Sequence, residues 1–269
     1  LDRSRHRMDG SCGVVTRTEN LWTAAMHQRD GNIVVLFQGG RLPSWGRLSV
    51  EEQNRFSQSH VDLMLTVAQQ YQLRRLEGFR LLGPQGAWQR FWLIEFPALA
   101  GAEAWIEAEM APPYGRYGYY NYHLSRKLDP ERFSTWVTDP APPVVPLADD
   151  PHAIPELKAD TGSVVVLMFA RYRAGAESLT PQERGDDQHV ALMTGLARQY
   201  GLMRLEAFQL ITPQDEWHRA WVIELPTLEA AEAWIAGEET PPHGAHASRT
   251  YQLARRWAPE YCASWTPTG

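Results

Sequence analysis

Hydrophobic and polar positions along this chain follow a pattern that occurs twice. Each occurrence begins with a short run rich in β-branched residues, NIVVLF at 32–37 and SVVVLMF at 163–169, which is typical of a strand buried on both faces. Two further segments, 75–82 and 88–96 in the first occurrence, flank the turn sequence GPQGA and predict a hairpin. One more predicted strand, which contains Tyr122, completes a set of four.

Two helices are predicted between these strands in each occurrence. A hydroxyl residue stands three positions before a glutamate at Ser49 and Glu52, and again at Thr180 and Glu183, an arrangement that caps a helix start reciprocally. Apolar side chains then recur at three-and-four spacing, so one stripe of this helix faces a core. The second helix is alanine-rich and ends before a Pro-Pro pair. The order β-α-β-β-α-β, found twice, is the ferredoxin-like unit of the α+β class.

The chain is an internal duplication. Every residue from 60 to 136 aligns without a gap with the residue 129 positions later, as in EAWIEAEMAPPYG and EAWIAGEETPPHG. Two copies of this length are too few and too long for a solenoid, so each is expected to form a small domain. The predicted organisation comprises an N-terminal extension (1–31), a first repeat (32–136), a Pro-rich linker (137–162) and a second repeat with a C-terminal tail (163–269).

Composition narrows the class of partner. A net charge of -6 and a pI near 5.9, without a run of Lys or Arg, argue against nucleic acid. No apolar run approaches the roughly 20 residues that span a bilayer, and residues 1–31 lack the features of a signal peptide. We therefore expect no membrane partner and a cytoplasmic protein. Cys12 and Cys262 lie at non-equivalent places, which excludes a redox pair or a zinc cluster.

The repeated unit resembles a known superfamily. It has a histidine on the inner face of its first helix, two central strands rich in aromatic residues and a Pro-rich exit from its second helix. These features are similar to the dimeric α+β barrel proteins, which include YCII-related, EthD-like, antibiotic-monooxygenase-like and haem-degrading branches. In such proteins two units pack sheet against sheet, and each site lies between a sheet and its own helices. The resemblance implies an intramolecular α+β barrel, and hence a monomer or a loose oligomer.

His60 and His189 are the first candidates for chemistry, because each lies on the apolar stripe of its helix. Partial burial favours the neutral imidazole, which can act as a general base near neutral pH. The alternative is a core histidine bonded to a backbone carbonyl. In YCII-like relatives a histidine at the matching helical position is thought to be catalytic, usually with a nearby acid, and the resemblance implies the same role here. The sequence alone places no acid beside either histidine.

The strand WQRFWLIE at 88–95 and its repeat WHRAWVIE at 217–224 supply the second set of candidates. Alternation places an arginine between two tryptophans on one face of each strand. Such a face can bind an anionic or planar aromatic ligand, or it can be a structural stack within the barrel. The predicted substrate-binding residues of these strands are Trp88, Arg90, Trp92, Trp217, Arg219 and Trp221.

Glu109 and Glu238 stand at the end of the second helix of each repeat, where a carboxylate meets the negative end of the helix dipole. Their expected partners are Arg126 and Arg255 on the last strand. Such pairs would be structural, or one member of each would serve a site.

The two repeats differ most after the Pro-Pro pair. Residues 114–123 are rich in tyrosine, whereas residues 243–252 contain His243 and His246. Two histidines in a Gly/Ala loop are usually solvated, so no metal site is predicted. We expect the working site in the first repeat, where tyrosines can supply apolar walls and hydroxyl donors to a ligand. The predicted substrate-binding tyrosines are Tyr117, Tyr119 and Tyr122.

The sequence contains no Gly-rich phosphate loop, nucleophile elbow or HExxH motif. The leading hypothesis is an enzyme without a nucleotide cofactor that oxygenates, isomerises or cyclises a small apolar or aromatic metabolite with a histidine base. No cofactor is expected on this hypothesis. Two alternatives stay open. One is a haem-binding protein with His60 or His189 as axial ligand; the other is a non-catalytic ligand-binding or scaffold protein of the same fold.

Overall fold

A computed structural model of the chain describes residues 31–85, 87–129, 133–147, 150–214 and 217–266. The predicted N-terminal extension, with Cys12, lies outside these residues except for Gly31. No helix in the described part of the chain is both long and apolar enough to cross a bilayer.

Each half of the chain forms four strands in the predicted β-α-β-β-α-β order, with the first helix of the second half in two pieces and a short extra helix after its last strand. The first half contains β1 (Ile33–Arg41), α1 (Val50–Gln70), β2 (Arg75–Gln85), β3 (Trp88–Phe96), α2 (Leu99–Met110) and β4 (Gly118–Lys127). The second half contains β5 (Val164–Tyr172), α3 (Pro181–Arg184), α4 (Asp186–Tyr200), β6 (Arg204–Gln214), β7 (Trp217–Leu225), α5 (Leu228–Glu238), β8 (Ala247–Trp257) and α6 (Pro259–Ala263). The prediction of tandem ferredoxin-like units is confirmed.

The eight strands close into one antiparallel barrel in the order β1-β3-β2-β8-β5-β7-β6-β4. Two junctions join the halves. At one, β2 pairs with β8 from Gly78 opposite Trp257 to Leu81 opposite Ala254. At the other, β4 pairs with β6 over three residues. The last strand of each half therefore pairs with the first strand of its own half and with the second strand of the other half, and the predicted intramolecular barrel is confirmed.

The barrel interior is filled by alternate side chains of the strands. Phe79, Phe91 and Phe208 are among its largest fully buried members, and Phe91 meets Phe169 of the other half at 6.3 Å between ring centroids. A strand shows successive side chains to opposite faces. The other face of each strand is therefore free to pack against helices.

Four ionised side chains form a partly buried cluster that spans the two halves, on strands that lie on opposite sides of the barrel. Arg75 Nη1 is 2.8 Å from Glu206 Oε2, and Arg204 Nη1 is 2.6 Å from Glu77 Oε2. Each arginine also pairs with the glutamate two positions along its own strand. Because every charge has a counter-charge in both halves, this Arg-Glu quartet links β2 to β6 through the interior.

Two further cores lie outside the barrel, one under the helices of each half. In the first, Met64 and Trp105 pack against the outward-facing residues of β1 and β3. In the second, Met193 and Trp234 occupy the corresponding places. The histidine-bearing stripes predicted for the first helices face these two outer cores.

The first helix of the second half is divided, whereas the sequence predicts a single helix behind each cap. Thr180 caps α3 as expected, but Gly185 adopts a left-handed conformation (φ 72°) and ends it. A Cβ at Gly185 would collide with the side chain of Pro242, so only glycine fits this contact. The chain then starts α4 at Asp186. In the first half α1 has no such interruption and runs for 21 residues.

Candidate functional site

A cavity lies between the outer face of the barrel and the helices in each half. The first-half cavity has a volume of about 160 Å³ and the second-half cavity about 470 Å³. Each is completed by the end of the other half. Phe133 and Trp136, which follow β4, line the second-half cavity. Cys262 and Trp265, 129 positions later, line the first-half cavity.

In the described part of the segment that joins the halves, residues line the first-half cavity and none lines the second-half cavity. The lining residues of this segment are Ile154 and Leu157. Trp257 Nε1 donates to the Leu157 carbonyl at 3.2 Å, and the Tyr261 hydroxyl donates to the Pro151 carbonyl at 3.0 Å. A chain with two repeats has only one such joining segment. Its presence in one half contributes to the difference in volume between the cavities.

An imidazole and a carboxylate meet in the first-half cavity. His60 Nε2 lies 3.1 Å from Glu109 Oε2, and both side chains are nearly buried. Tyr114 stacks on the imidazole at 3.9 Å between centroids, and the Arg41 guanidinium lies 3.6 Å from the centroid of the Tyr114 ring. Burial opposes the charge on Glu109, but His60, Arg90 and Arg41 outweigh it and lower the pKa of this carboxyl.

This arrangement corrects the predicted pairing of Glu109 with Arg126 and of Glu238 with Arg255. Arg126 Nη1 donates to the Gly31 carbonyl at 2.6 Å, and Arg255 donates to the carbonyls of Thr161 and Ser163. Both arginines lie near the ends of their strands, beside the chain that leads into β1 or β5, and so they reach backbone rather than the distant helix end.

The acid beside each histidine was not found from the sequence, although a signal was present. Glu109 follows Trp105 by four residues on α2, and Glu238 follows Trp234 by four on α5. Residues four apart share a helix face. Since each tryptophan is buried, each glutamate is on the buried face as well, next to the stripe that holds the histidine.

The second-half cavity contains the equivalent pair in a different setting. His189 Nε2 is 3.5 Å from Glu238 Oε2, and Arg249 Nε is 3.3 Å from the same oxygen. His243 replaces the tyrosine and stacks on His189 at 3.9 Å between centroids. Its Nδ1 is 3.2 Å from Asp186 Oδ1.

Burial sets the proton affinities of the His189 and Glu238 pair. Burial, with the nearby charges of His243 and Arg249, lowers the pKa of His189 to about 3. Burial also raises the pKa of Glu238 to about 7, against the opposing effect of Arg249. The imidazole of His189 is therefore neutral at physiological pH, and a ring nitrogen is available as a ligand atom. Its Nδ1 is buried and has no hydrogen-bond partner among the described residues.

Three side chains in the second-half cavity could also hold a metal ion. One ligand atom from each of His189, Glu238 and His243 lies within 4.8 Å of the others. The sequence predicts no metal site. The only partner that it offers to His243 is the neighbouring His246. The structure brings His243 to His189 and Glu238 instead, which are distant in sequence.

The predicted substrate-binding residues of β3 and β7 divide into two groups. Arg90 and Trp92 line the first-half cavity, and Arg219 and Trp221 line the second. Trp88 and Trp217 do not line either cavity; they pack against the barrel interior. The hairpin register shifts beyond the last regular pairs, so simple alternation does not extend to these two tryptophans. The predicted face with an arginine between two tryptophans is therefore wrong.

The predicted tyrosines lie beside the first-half cavity rather than in its wall. Tyr117 packs on Phe56 and Trp45, and the Tyr119 hydroxyl donates to the Ala87 carbonyl. Tyr122 stacks on Phe37 at 5.1 Å between centroids. The tyrosines that line this cavity are Tyr114 and Tyr261, which the sequence did not single out.

A closed barrel of two ferredoxin-like units, with a cavity under the helices of each, is the dimeric α+β barrel fold. No protein-family model and no curated protein matches the sequence. Solved structures match in fold. A mutant chlorite dismutase from Candidatus Nitrospira defluvii in complex with cyanide matches with a TM-score of 0.60 at 11% identity, over 90% of this chain and 97% of that chain.

Two other matches have a similar extent. Chlorite dismutase from the same organism in complex with imidazole gives a TM-score of 0.59 at 13% identity, over 90% of this chain and 97% of that chain. A heme-binding protein from Thermus thermophilus gives 0.54 at 13% identity, over 85% of this chain and 92% of that chain. At these identities the similarity shows the fold.

These similarities correct two predictions. They support the dimeric α+β barrel fold, but not the YCII-related, EthD-like or antibiotic-monooxygenase-like branches. The prediction that no cofactor is needed is wrong, because one of the same neighbours is described as heme-binding. The same neighbours give no support to the hypothesis of a cofactor-independent enzyme.

Proposed function

We propose that this protein binds haem in the second-half cavity, with His189 as the axial ligand. The observation that supports this most directly is the setting of the His189 imidazole. It lines the cavity, its Nδ1 is buried without a partner among the described residues, and its other ring nitrogen lies next to Glu238. In histidines that bind metals, one ring nitrogen commonly binds the metal while a carboxylate orients the ring through the other nitrogen.

The residues that line the second-half cavity fit haem. A volume of about 470 Å³ is within the roughly 300–1,000 Å³ of small-molecule and cofactor sites. The walls are mainly apolar and aromatic, and three arginines stand among them where carboxylates of a ligand could be met by charge-assisted hydrogen bonds. The apolar and cationic residues of these walls include Phe133, Trp136, Met168, Trp221, Trp234, Arg171, Arg219 and Arg249.

The second half suits haem better than the first. The first-half cavity has about a third of the volume and is closed by Ile154 and Leu157. Haem iron, when bound, would supply redox and ligand-binding chemistry. The protein's own contribution would be a neutral imidazole from His189, its orientation by Glu238, and a wall that limits water around the site.

A hemin titration of the purified protein tests this function. We expect a Soret band that saturates, and we expect His189→Ala to weaken hemin binding at least about tenfold. His60→Ala, the same change at the matched position of the first half, should leave the titration unchanged. Circular dichroism of both variants verifies that they fold. A folded His189→Ala protein with the parental titration, or loss caused by His60→Ala alone, would contradict the proposal.

A single divalent metal ion at His189, Glu238 and His243 is a second candidate function. The proximity of the three ligand atoms favours it, since two imidazoles and one carboxylate form a recognised ligand set for iron or zinc. The ion pair between Arg249 and Glu238 opposes metal binding, because the arginine already contacts the carboxylate oxygen that a metal would need. The two candidates differ in their response to His243→Ala. This change should abolish the binding of Zn²⁺ measured by calorimetry if the ion is the cargo, and should leave the Soret titration in place if haem is.

A further inference from the structure

Four arginines line one open groove beside the first-half cavity, where β2 of the first half meets β8 of the second. The groove has a volume of about 810 Å³ and contains Arg41, Arg80, Arg90 and Arg255. Arg80 on β2 stands directly opposite Arg90 on β3 and directly opposite Arg255 on β8. Residues opposite one another across strands lie on the same face, where like charges repel.

The side chains of this arginine groove form no ion pair within the described ranges of the chain, where no carboxylate lies within 4.0 Å of their nitrogens. Burial and the neighbouring charge of Arg90 lower the pKa of Arg41 to about 9. The second half has Gln209 at the place of Arg80. The pairing of Arg80 with Arg90 is thus not repeated in the second half, where Gln209 stands opposite Arg219.

The arginine groove and the first-half cavity are neighbours that share part of their walls. Arg90 and Trp257 line both. The Nε and Nη2 atoms of Arg90 are buried and have no hydrogen-bond partner in the part of the chain that the structure describes. An unpaired buried guanidinium nitrogen is costly, and a ligand oxygen at this point would satisfy it.

The cavity behind Arg90 has the size of one aromatic ring. Its volume is about 160 Å³, and an engineered apolar cavity of about 150 Å³ is known to take up benzene. Its walls include Phe37, Trp92 and Trp105. Aromatic walls favour stacked or edge-on contact with a ring.

We propose that the first half binds an aryl anion, with its single ring in the cavity and its carboxylate or phosphate at Arg90 and in the arginine groove. Guanidinium groups bind both kinds of oxyanion through paired, charge-assisted hydrogen bonds. This site is separate from the proposed haem site and uses none of its residues. The His60 and Glu109 pair lies in the wall of the same cavity and borders the bound ring.

Titrations with four probes test the site, followed by calorimetry or by the fluorescence of the tryptophans in its wall. Benzoate and phenyl phosphate combine ring and charge, whereas acetate and inorganic phosphate provide the charge alone. We expect each aryl anion to bind at least about tenfold more tightly than its ring-free counterpart, because burial of a ring adds to the ionic contact. Equal affinities within each pair would show that the groove binds anions without the cavity, and would overturn the proposal.

A matched pair of arginine variants locates the binding. Arg90→Gln is expected to weaken benzoate binding about tenfold or more, since a charged hydrogen-bond donor is lost. Arg219→Gln, the same change at the equivalent position of the second half, should not alter it. If Arg90→Gln fails to fold, the exposed Arg80→Gln serves in its place with a smaller expected loss. Unchanged affinity in the folded variants, or an equal loss from Arg219→Gln, contradicts the site.

A titration in the presence of saturating hemin separates this proposal from the haem proposal. The benzoate affinity should be the same with and without hemin, because the two cavities are on different halves. Displacement of hemin by benzoate would place the aryl anion in the second-half cavity, and the first-half site would be rejected. Failure of the protein to bind hemin leaves the benzoate test intact.

Discussion

At the scale of single residues, the two cavities differ through small substitutions at equivalent positions. Gly78 on β2 lies against Trp92, and a Cβ added there would be 2.7 Å from the indole ring. The second half has Ala207 at this position, paired with Trp221. The absence of one methyl group therefore lets Trp92 lie flat against β2 beside the first-half cavity.

Gly78→Ala should force the Trp92 ring out of place. Overpacking of a core costs about 1–3 kcal/mol, which exceeds the roughly 0.4–1 kcal/mol gained from a stiffer unfolded chain. We expect a lower free energy of unfolding in urea and weaker benzoate binding. The reverse change in the other half, Ala207→Gly, is the control and should leave benzoate binding unaltered. A stabilised Gly78→Ala protein would show that the ring can move without cost.

The sequence predicts the position of some cavity-lining residues at this scale. His60 and His189 lie where the helical stripe predicts, because a periodicity of 3.6 residues fixes the face of a long helix. Trp88 and Trp217 do not, because alternation fails at an irregular hairpin end. Glu109 was assigned to the wrong partner, since its distance from His60 depends on how two helices pack and not on either helix alone.

At the scale of elements, capping determines where the first helix starts. The Ser49 hydroxyl accepts from the Glu52 amide at 3.2 Å, and the Glu52 carboxylate accepts from the Ser49 amide at 3.0 Å. The sequence predicts this capping box from two residues alone. The division of the matching helix at Gly185 could not be predicted, because it depends on the contact with Pro242, a residue far along the chain.

Ser49→Ala should lower the free energy of unfolding by about 1 kcal/mol, because it leaves amides at the start of α1 without an acceptor. Ser49→Asp, which keeps an acceptor at the cap, should preserve the stability. Urea denaturation monitored by circular dichroism measures both variants. Equal destabilisation by alanine and aspartate would indicate that the hydroxyl acts through something other than the cap.

At the scale of the whole molecule, the Arg-Glu quartet ties the halves together in a way that depends on pH. Burial opposes the charges of the glutamates, but Arg204 and Arg75 outweigh it and lower the pKa of Glu77 to about 2. The same arginines lower the pKa of Glu206 as well. A carboxyl whose pKa is lower in the folded than in the unfolded chain stabilises the fold above its unfolded value.

The contribution of Glu77 and Glu206 to the free energy of unfolding should therefore not change with pH near neutrality. It should fall as the pH drops from about 4.5 towards 2. Glu77→Gln should reduce this dependence while lowering the stability at pH 7. Glu156→Gln, at an exposed ion pair with Lys158, is the control and should change neither. Denaturation curves at several pH values measure the slopes. A Glu77→Gln protein with the parental slope would exclude the quartet as its source.

The crossing of chain ends has a consequence for how the two sites changed over time. If a single unit paired with a copy of itself, each cavity would be covered by the end of the partner, and any substitution would alter both cavities together. Joining two copies in one chain removes that constraint, because position 114 can hold tyrosine while position 243 holds histidine. The duplicated gene could thus specialise each cavity independently, while the shared ends kept both halves dependent on one another.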